Sequence, residues 1–348
     1  MTITVILCTY NRCERLADAL ESLARTSLPA PTNWEVLVVD NNSTDMTRDV
    51  AQAFCRRFPR HFRYVFEPEQ GKSRALNTGV REAQGEILAF TDDDVTVEPT
   101  WLQSLTRALH GEEWAGAAGR VALKWCSPLP SWLPSESRHG WAPLSHFDRG
   151  PQPHELHEPP FGTNMAFRKS VFDRYGGFLT TLGPTTEGDY RLWNINRPPR
   201  NTEDSEFGAR LLAAGERLRY EPSAIVYHAV PSNRLDKGYF LKWWFEKGRG
   251  DAHCPAIGTS AGLEFCGIPL SLCLAGVFHT LRWLLSVDRS SRFENKLALW
   301  AILGRILEVR RMPSQASRVG RTLCNHVAMT TAGRVNEPAI RTQSAKED

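Results

Sequence analysis

Paired cysteines are missing from this chain. Its eight (Cys8, Cys13, Cys55, Cys126, Cys254, Cys266, Cys273, Cys324) include no Cys-x-x-C step and no compact spacing. That excludes a disulfide framework and reads as reduced thiols of a cytosolic protein. A strong net charge is missing too. The 42 basic and 39 acidic residues leave +3, too little to imply nucleic-acid binding. No apolar run is long enough to span a bilayer comfortably. Phe265 to Leu281 carries no Asp, Glu, Lys or Arg in 17 residues, but about 20 are needed, and Pro269 and His279 interrupt it. No basic n-region or small-residue cleavage site follows Met1, so the stretch around Ile3 to Cys8 reads as a strand and not as a signal peptide. Internal repeats and low-complexity tracts are absent. With 41% hydrophobic and 23% charged residues, a disordered, collagenous or coiled-coil chain is excluded. At 348 residues the expectation is one large domain with an appendage, or two domains.

What is present is ordered along the chain. Short apolar runs at Ile3 to Cys8, Glu35 to Val39, Phe62 to Phe66 and Glu86 to Thr91 predict strands. Between them, helices are predicted at Glu14 to Ala24, Met46 to Phe58 and Gly71 to Ala83. Such alternation predicts a parallel sheet with right-handed crossovers, whose ligands bind beyond the carboxyl ends of the strands. Trp125 to Pro160 then holds eight prolines, three tryptophans and four histidines without a sustained period. It is expected to be a partly ordered cover over a cleft. Glu203 to Ala214 reads as an amphipathic helix. Met1 to Arg234 carries 26 basic and 29 acidic residues, against 16 and 10 from Leu235 to Asp348. A basic C-terminal third suits an anionic surface, and equally a solvated basic face. Trp243, Trp244, Trp283 and Trp300 beside Lys and Arg suit a helix at a lipid interface; a true span and a buried helix pair are the alternatives. From Pro313 a polar tail is expected.

Polar groups close three of the strands: Thr9-Tyr10-Asn11-Arg12, Asp40, and Asp92-Asp93-Asp94. Three adjacent carboxylates repel, so they need compensation, and a hard divalent cation bound with phosphates supplies it. A solvated acidic turn is the plain alternative. The first and third can face one side, which assigns Asp94 to the metal and Asp92 to a nucleotide sugar ring. Asp40 is a helix-capping or Asx-turn residue unless other residues join it. Lys72 and Arg74 follow Gly71 at a helix start, where backbone donors and two cations suit a diphosphate; alone they are surface charges. Glu203 and Asp204 open a helix, where acids are favoured by the macrodipole, yet one could be a general base toward a hydroxyl. His228 ends another strand as a further metal ligand or a structural histidine.

Taken together these segments resemble the family 2 glycosyltransferases, of GT-A fold. The resemblance rests on Val5 to Arg12, Val38 to Asp45, Gly71 to Gly79, Phe90 to Asp94, Gly162 to Arg168, Gly176-Gly177-Phe178 and Thr202-Glu203-Asp204, and covers residues 1 to 230 in order. It implies an α/β fold with a mixed, mainly parallel sheet, a Rossmann-like nucleotide half, flanking helices and a helical C-terminal extension. The implied domains are a catalytic one over 1–234, with a nucleotide half (1–124), an acceptor loop (125–160) and an acceptor half (161–234). A basic, apolar helical region over 235–312 and the tail over 313–348 follow. Thr9, Tyr10, Asn11, Arg12, Asp40, Lys72, Arg74, Asp92 and Asp93 would hold the nucleotide-sugar donor, a UDP-sugar by default. Asp94 and His228 would bind Mg²⁺ or Mn²⁺, Asp204 would be the catalytic base, and Gly162, Asn164 and Glu203 would line the sugar and acceptor pocket. The implied reaction is transfer of one sugar to a hydroxyl of a lipid-linked or polysaccharide acceptor, with inversion. No nucleic acid takes part. The implied location is cytoplasmic, peripheral at the inner face of the cytoplasmic membrane. Processive synthases of this family also carry Gln-x-x-Arg-Trp, but no Gln lies between Asp204 and Gln315, so a chain-extending synthase is not expected. The rival readings are an inactive glycan-binding module of the same fold, and a nucleotidyltransferase, which should show a glycine-rich loop after the first strand.

Overall fold

A computed structural model describes residues 2–29, 32–133, 141–184, 199, 202–254, 263–265 and 267–312. Met1–Val309 forms one compact unit; of a second, Arg310–Asp348, residues 310–312 are described. The framework is a nine-stranded sheet. Its strands are β1 (Thr2–Thr9), β2 (Asn33–Asp40), β3 (Phe62–Phe66), β4 (Ile87–Asp92), β5 (Val95–Val97), β6 (Gly116–Trp125), β7 (His154–Leu156), β8 (Asn164–Arg168) and β9 (Leu218–Val230). They run in the order β3-β2-β1-β4-β8-β6-β9-β5, with β7 also on β9. β1 to β4 pair in parallel, as do β6 and β9, while β5, β7 and β8 are antiparallel to their neighbours. The sheet is therefore mainly parallel, as expected.

The reason lies in burial. Ile3 to Leu7, Val36 to Val39 and Ile87 to Phe90 are each at most 2% exposed. Strands apolar on both faces need helices on both sides, which parallel crossovers supply. These are α1 (Cys13–Ala24), α2 (Thr47–Arg57), α3 (Lys72–Glu82) and α4 (Trp101–Ala108), then α5 (Lys169–Tyr175) and α6 (Glu203–Ala213). α1 buries Leu16, Ala19, Leu20 and Leu23, the i, i+3, i+4, i+7 stripe of a helix lying on a core. α3 lies so close to β1 that a Cβ at Gly79 would sit 2.5 Å from Ile6 Cγ2.

Register decides what the sheet presents at its edge. Thr9 stands opposite Asp40, Cys8 opposite Asp92, and Val95 opposite His228. Three parallel strands thus end at one level, and β5 folds the turn that holds Asp93 and Asp94 back beside β9.

The Trp125 to Pro160 stretch differs from expectation. β6 runs on to Trp125, and β7 adds a strand to the sheet. Trp132 packs edge-on against Phe240 and Phe293 at 5.3 and 5.2 Å, and Trp125 against Trp141 at 5.6 Å. These rings belong to a second, smaller core with Leu144, Val230 and Leu297, because large aromatic surface is more stable buried. Residues 134–140 of that stretch lie outside the described residues, as do 313–348.

Three C-terminal helices follow: α7 (Lys237–Asp251), α8 (Leu270–Leu285) and α9 (Arg289–Arg311). α7 is capped by Asp236, which accepts from Gly238 N at 2.8 Å and Tyr239 N at 3.2 Å. α7 and α9 touch backbone to backbone, since a Cβ at Gly248 would lie 1.8 Å from the Ala301 carbonyl oxygen. Buried Arg249 of α7 joins them through Glu308 of α9 and pairs with Glu246 on its own helix. α8 buries no residue and exposes Leu274, Phe278, Leu281 and Leu285. Among the described residues no helix is long and apolar enough to cross a membrane.

Candidate active site

The first two strand ends are knotted into one floor. Asn11 adopts φ 50°, the left-handed conformation that Asn tolerates better than most residues. Its amide oxygen accepts from Thr44 N at 2.7 Å, and its own N–H donates to Ser43 Oγ at 2.9 Å. Ser43 N in turn donates to Asp40 Oδ1 at 2.9 Å, and Tyr64 OH to Asp40 Oδ2 at 2.8 Å. Asp40 thus holds the turn after β2 through the amide three residues on, with carboxylate lone pairs left over for a ligand. Thr9 Oγ1 is buried beside it with no hydrogen-bond partner among the described residues, and Tyr10 is half-buried at the same turn.

The triple aspartate divides between two sets of partners. Asp92, at the end of β4, accepts from Lys72 Nζ at 2.8 Å and from Thr163 Oγ1 at 2.9 Å. Lys72 Nζ also lies 3.5 Å from Glu203 Oε1. Burial works against the ammonium, but Asp92 and Glu203 outweigh it and hold the Lys72 pKa well above its ordinary value. Glu203 has the opposite fate: burial pushes its carboxyl up, Lys72 only partly opposing, and its Oε2 has no hydrogen-bond partner among the described residues. Asp93 and Asp94 turn the other way. Arg12 Nη1 donates to Asp93 Oδ1 at 2.8 Å and to Asp94 Oδ2 at 3.3 Å. Burial raises Asp93 to about 6, with Arg12 opposing. Asp94 Oδ2 also meets Arg234 Nη2 at 2.9 Å, His228 Nε2 at 3.6 Å and Arg15 Nη1 at 3.7 Å. Burial opposes its charge, but the guanidiniums of Arg234 and Arg12 win and hold it well below the usual carboxylate range.

Asp204 is presented differently. It stands in the first turn of α6, where Gly162 N donates to its Oδ2 at 2.6 Å and Ser205 N to its Oδ1 at 2.7 Å. It forms no ion pair among the described residues. One turn on, Phe207 stacks on Phe172 at 4.7 Å and packs on Phe178 and Phe167 at 4.9 and 5.1 Å. This aromatic cluster fixes the helix on β8 and so fixes the carboxylate. Behind it, a Cβ at Gly250 of α7 would collide with Thr202 at 2.2 Å, so α7 is pressed against the residue before Glu203.

Other sequence-predicted residues stand elsewhere. Asn164 is 1% exposed, accepts from Trp101 Nε1 at 2.8 Å and donates to the Arg120 and Ala224 carbonyls at 2.9 and 2.8 Å. Its amide is used in tying β8 to its neighbours, not in lining a pocket. Gly162 acts through its N–H on Asp204. Arg74 is ion-paired to Glu69. The start of α3 offers few backbone donors to a phosphate, because Lys72 N already donates to the Pro184 carbonyl at 2.9 Å and Gly71 N to Asn41 Oδ1 at 2.8 Å. Lys72 meets the site through its ammonium instead. Four contributors escape sequence reasoning: Arg15, Asn41, Thr163 and Arg234. Only Arg234, six residues beyond His228 and within a turn, carried a readable signal, a cation beside a candidate ligand.

A hard carboxylate and an imidazole nitrogen, Asp94 Oδ2 and His228 Nε2, converge at a place that already accepts a cationic group. That donor set fits Mg²⁺ or Mn²⁺, with the remaining positions left to phosphate oxygens and water. Asp204, with no cation on it among the described residues, can take a proton.

Comparison with known proteins agrees with this geometry. The Glycosyl transferase family 2 model matches residues 4–176. The chain is 26% identical over 301 residues to the succinoglycan biosynthesis protein ExoM of Rhizobium meliloti (strain 1021), covering 86% of this chain and 90% of that protein. It is 28% identical over 253 residues to the glucosyl-dolichyl phosphate glucuronosyltransferase of Haloferax volcanii, covering 70% and 75%. In fold it is similar to the mannosyltransferase PcManGT from Pyrobaculum calidifontis, solved with GDP-Man and Mn²⁺. That likeness has a TM-score of 0.53 at 20% identity and covers 94% of this chain and 80% of that one. With the mainly parallel sheet, the acidic strand ends and the relatives in agreement, the chain is a glycosyltransferase that belongs to glycosyl transferase family 2.

Proposed function

We propose that this glycosyltransferase moves one sugar from a nucleoside-diphosphate sugar, a UDP-sugar by default, to a hydroxyl of a glycan or lipid-linked acceptor by a single inverting displacement. The observation that carries this reading is the division of labour among the carboxylates. Asp94 is neutralised by cations, Asp92 is held by Lys72 and Thr163, and Asp204, among the described residues, accepts only from the Gly162 and Ser205 amides and the Ser205 hydroxyl, with no cation. Asp204 is then the group placed to accept the acceptor's proton. Asp92, tied to an ammonium, is a poor nucleophile, which disfavours a two-step route through a glycosyl-enzyme. Thr9, Asn11 and Asp40 form the nucleoside floor, and Lys72 and Arg12 face the diphosphate. When bound by Asp94 and His228, Mg²⁺ or Mn²⁺ would supply Lewis-acid neutralisation of the leaving diphosphate. Support for the metal and the donor class comes from the Pyrobaculum structure, solved with GDP-Man and Mn²⁺. Support for the acceptor class comes from the names of the succinoglycan and dolichyl-phosphate relatives. The exposed apolar face of α8, followed by Arg289 and Arg292, also suits an acceptor offered at a lipid surface.

A thermal-shift panel of UDP, GDP, dTDP and CDP, each with and without Mn²⁺, tests the proposal, since a native-state ligand raises stability by mass action. One nucleotide is expected to raise Tm only with Mn²⁺, and the shift is expected to vanish in Asp94→Ala. No shift with any nucleotide, or a shift unchanged in Asp94→Ala, contradicts it.

A further inference from the structure

Asp94 and His228 are joined by a guanidinium. Arg234, on the short 3-10 turn Ser232–Arg234 after β9, donates from Nη2 to Asp94 Oδ2 at 2.9 Å and from Nη1 to His228 Nε2 at 2.8 Å. A guanidinium can only donate. His228 Nε2 must therefore accept. The lone pair and the carboxylate oxygen that Arg234 uses are the two that a divalent cation would need. Other cations face Asp94, but differently: Arg12 sits closer to Asp93, and Arg15 is 3.7 Å away and 45% exposed. Arg234 alone bridges both groups among the described residues.

We infer that Arg234 is a resident cation at the metal position, a positioning residue that must leave Asp94 and His228 before Mg²⁺ or Mn²⁺ can enter. Once released, its guanidinium binds the donor diphosphate. The inference rests on the reading of Asp94 and His228 as metal ligands. Its physical basis is charge balance. Asp94 is 9% exposed, and a buried carboxylate stripped of its partner is strongly destabilised. Exchanging one cation for another keeps it compensated in both states. The displaced guanidinium needs a new anionic partner, and a diphosphate offers the paired oxygens that match its fork. Donor and metal then favour each other's binding, because the diphosphate holds Arg234 away from the metal ligands. By linkage that coupling is reciprocal.

Calorimetric titration of Mn²⁺ into the full chain tests this, using wild type, Arg234→Ala and Arg234→Lys, each alone and with UDP or GDP, whichever stabilises the protein. Arg234→Ala is expected to bind Mn²⁺ alone about tenfold more tightly, because two charge-assisted hydrogen bonds no longer have to break. The same variant is expected to bind the nucleoside diphosphate, with Mn²⁺ present, at least about tenfold more weakly. Arg234→Lys should fall between, since one ammonium cannot bridge both groups. In an Asp94→Asn background the gain in Mn²⁺ affinity should disappear. Cooperative thermal unfolding of Arg234→Ala and Arg234→Lys establishes that each is folded. Mn²⁺ affinity in folded Arg234→Ala equal to or weaker than wild type overturns the resident-cation role. Tighter Mn²⁺ with unchanged nucleotide affinity overturns the diphosphate role. Absence of Mn²⁺ binding in every protein, with or without nucleotide, removes the metal reading on which the inference stands.

Discussion

Asp204→Asn is expected to lower turnover by at least ~10²-fold, the lower range for loss of a general base, while the Mn²⁺-dependent nucleotide shift in Tm stays as in wild type. The substitution keeps shape and one oxygen to accept from Gly162 N, which sits 2.6 Å from Oδ2, at the loss of the oxygen that accepts from Ser205 N at 2.7 Å. The aromatic cluster around Phe207 holds α6 in place whichever side chain stands at 204. What the amide loses is the ability to take a proton from the attacking hydroxyl. Because the proposed nucleotide floor lies at the ends of β1 and β2, away from Asp204, donor affinity is expected to hold. Turnover measured beside thermal shift separates the two effects. Near-normal turnover removes Asp204 from the base role.

Lys72→Met is expected to destabilise the protein by roughly 3 kcal/mol at pH 7, the lower end for removing one partner of a buried pair. The lower end applies because the Lys72 and Asp92 side chains are 28% and 22% exposed. Methionine fills much of the same volume, so the loss is chiefly electrostatic. Asp92 and Glu203 are left facing each other, with Asp204 adjacent and the ammonium gone. The pH dependence has a definite sign. Lys72 helps hold the Asp92 pKa below its ordinary 3.8, so Asp92 contributes stability that is present above that value and lost as pH falls through the lower folded pKa. The gap between wild type and Lys72→Met should therefore narrow as pH drops below 3.8. Urea unfolding across that range measures it. A difference under about 1 kcal/mol at pH 7, the value typical of exposed pairs, contradicts the buried-pair reading.

The first half of the fold is legible because each strand there is a continuous apolar run closed by a polar residue. Ile3 to Cys8, Glu35 to Val39 and Glu86 to Thr91 each fall within two residues of the observed strand bounds. β5 and β7 are three residues long, too short for any period to register. β9 begins at Leu218, earlier than Ile225 to His228 suggests, because Pro222 interrupts the pattern where the register with β6 shifts between Gly119 and Arg120. The tryptophans of the proline-rich stretch mark a core whose other half, Phe240 and Phe293, lies 108 and 161 residues after Trp132.

The candidate site divides along the same line. Asp94, Asp204 and His228 sit at or near strand and helix ends, where a local pattern points to them. Thr163 takes its meaning from Asp92, 71 residues away in sequence, and no local pattern encodes that; Arg234 is marked locally only by its closeness to His228, and its bond to Asp94, 140 residues away, has no local sign. Asn164 shows the converse. A family motif suggests a pocket residue, yet its partners Trp101, Arg120 and Ala224 lie 63, 44 and 60 positions away and enclose it. Only the sheet order, which sets β8 between β4 and β6, makes that enclosure.

A single displacement by a hydroxyl activated at Asp204 inverts the anomeric carbon, and water can stand in for the acceptor. The most direct measurement is proton NMR of the sugar first released when the wild-type protein hydrolyses an α-linked nucleotide sugar carrying the base that the panel selects. Initial release of the β-anomer, ahead of mutarotation, is the expected result. Initial release of the α-anomer would contradict single displacement and require a covalent intermediate or front-face attack.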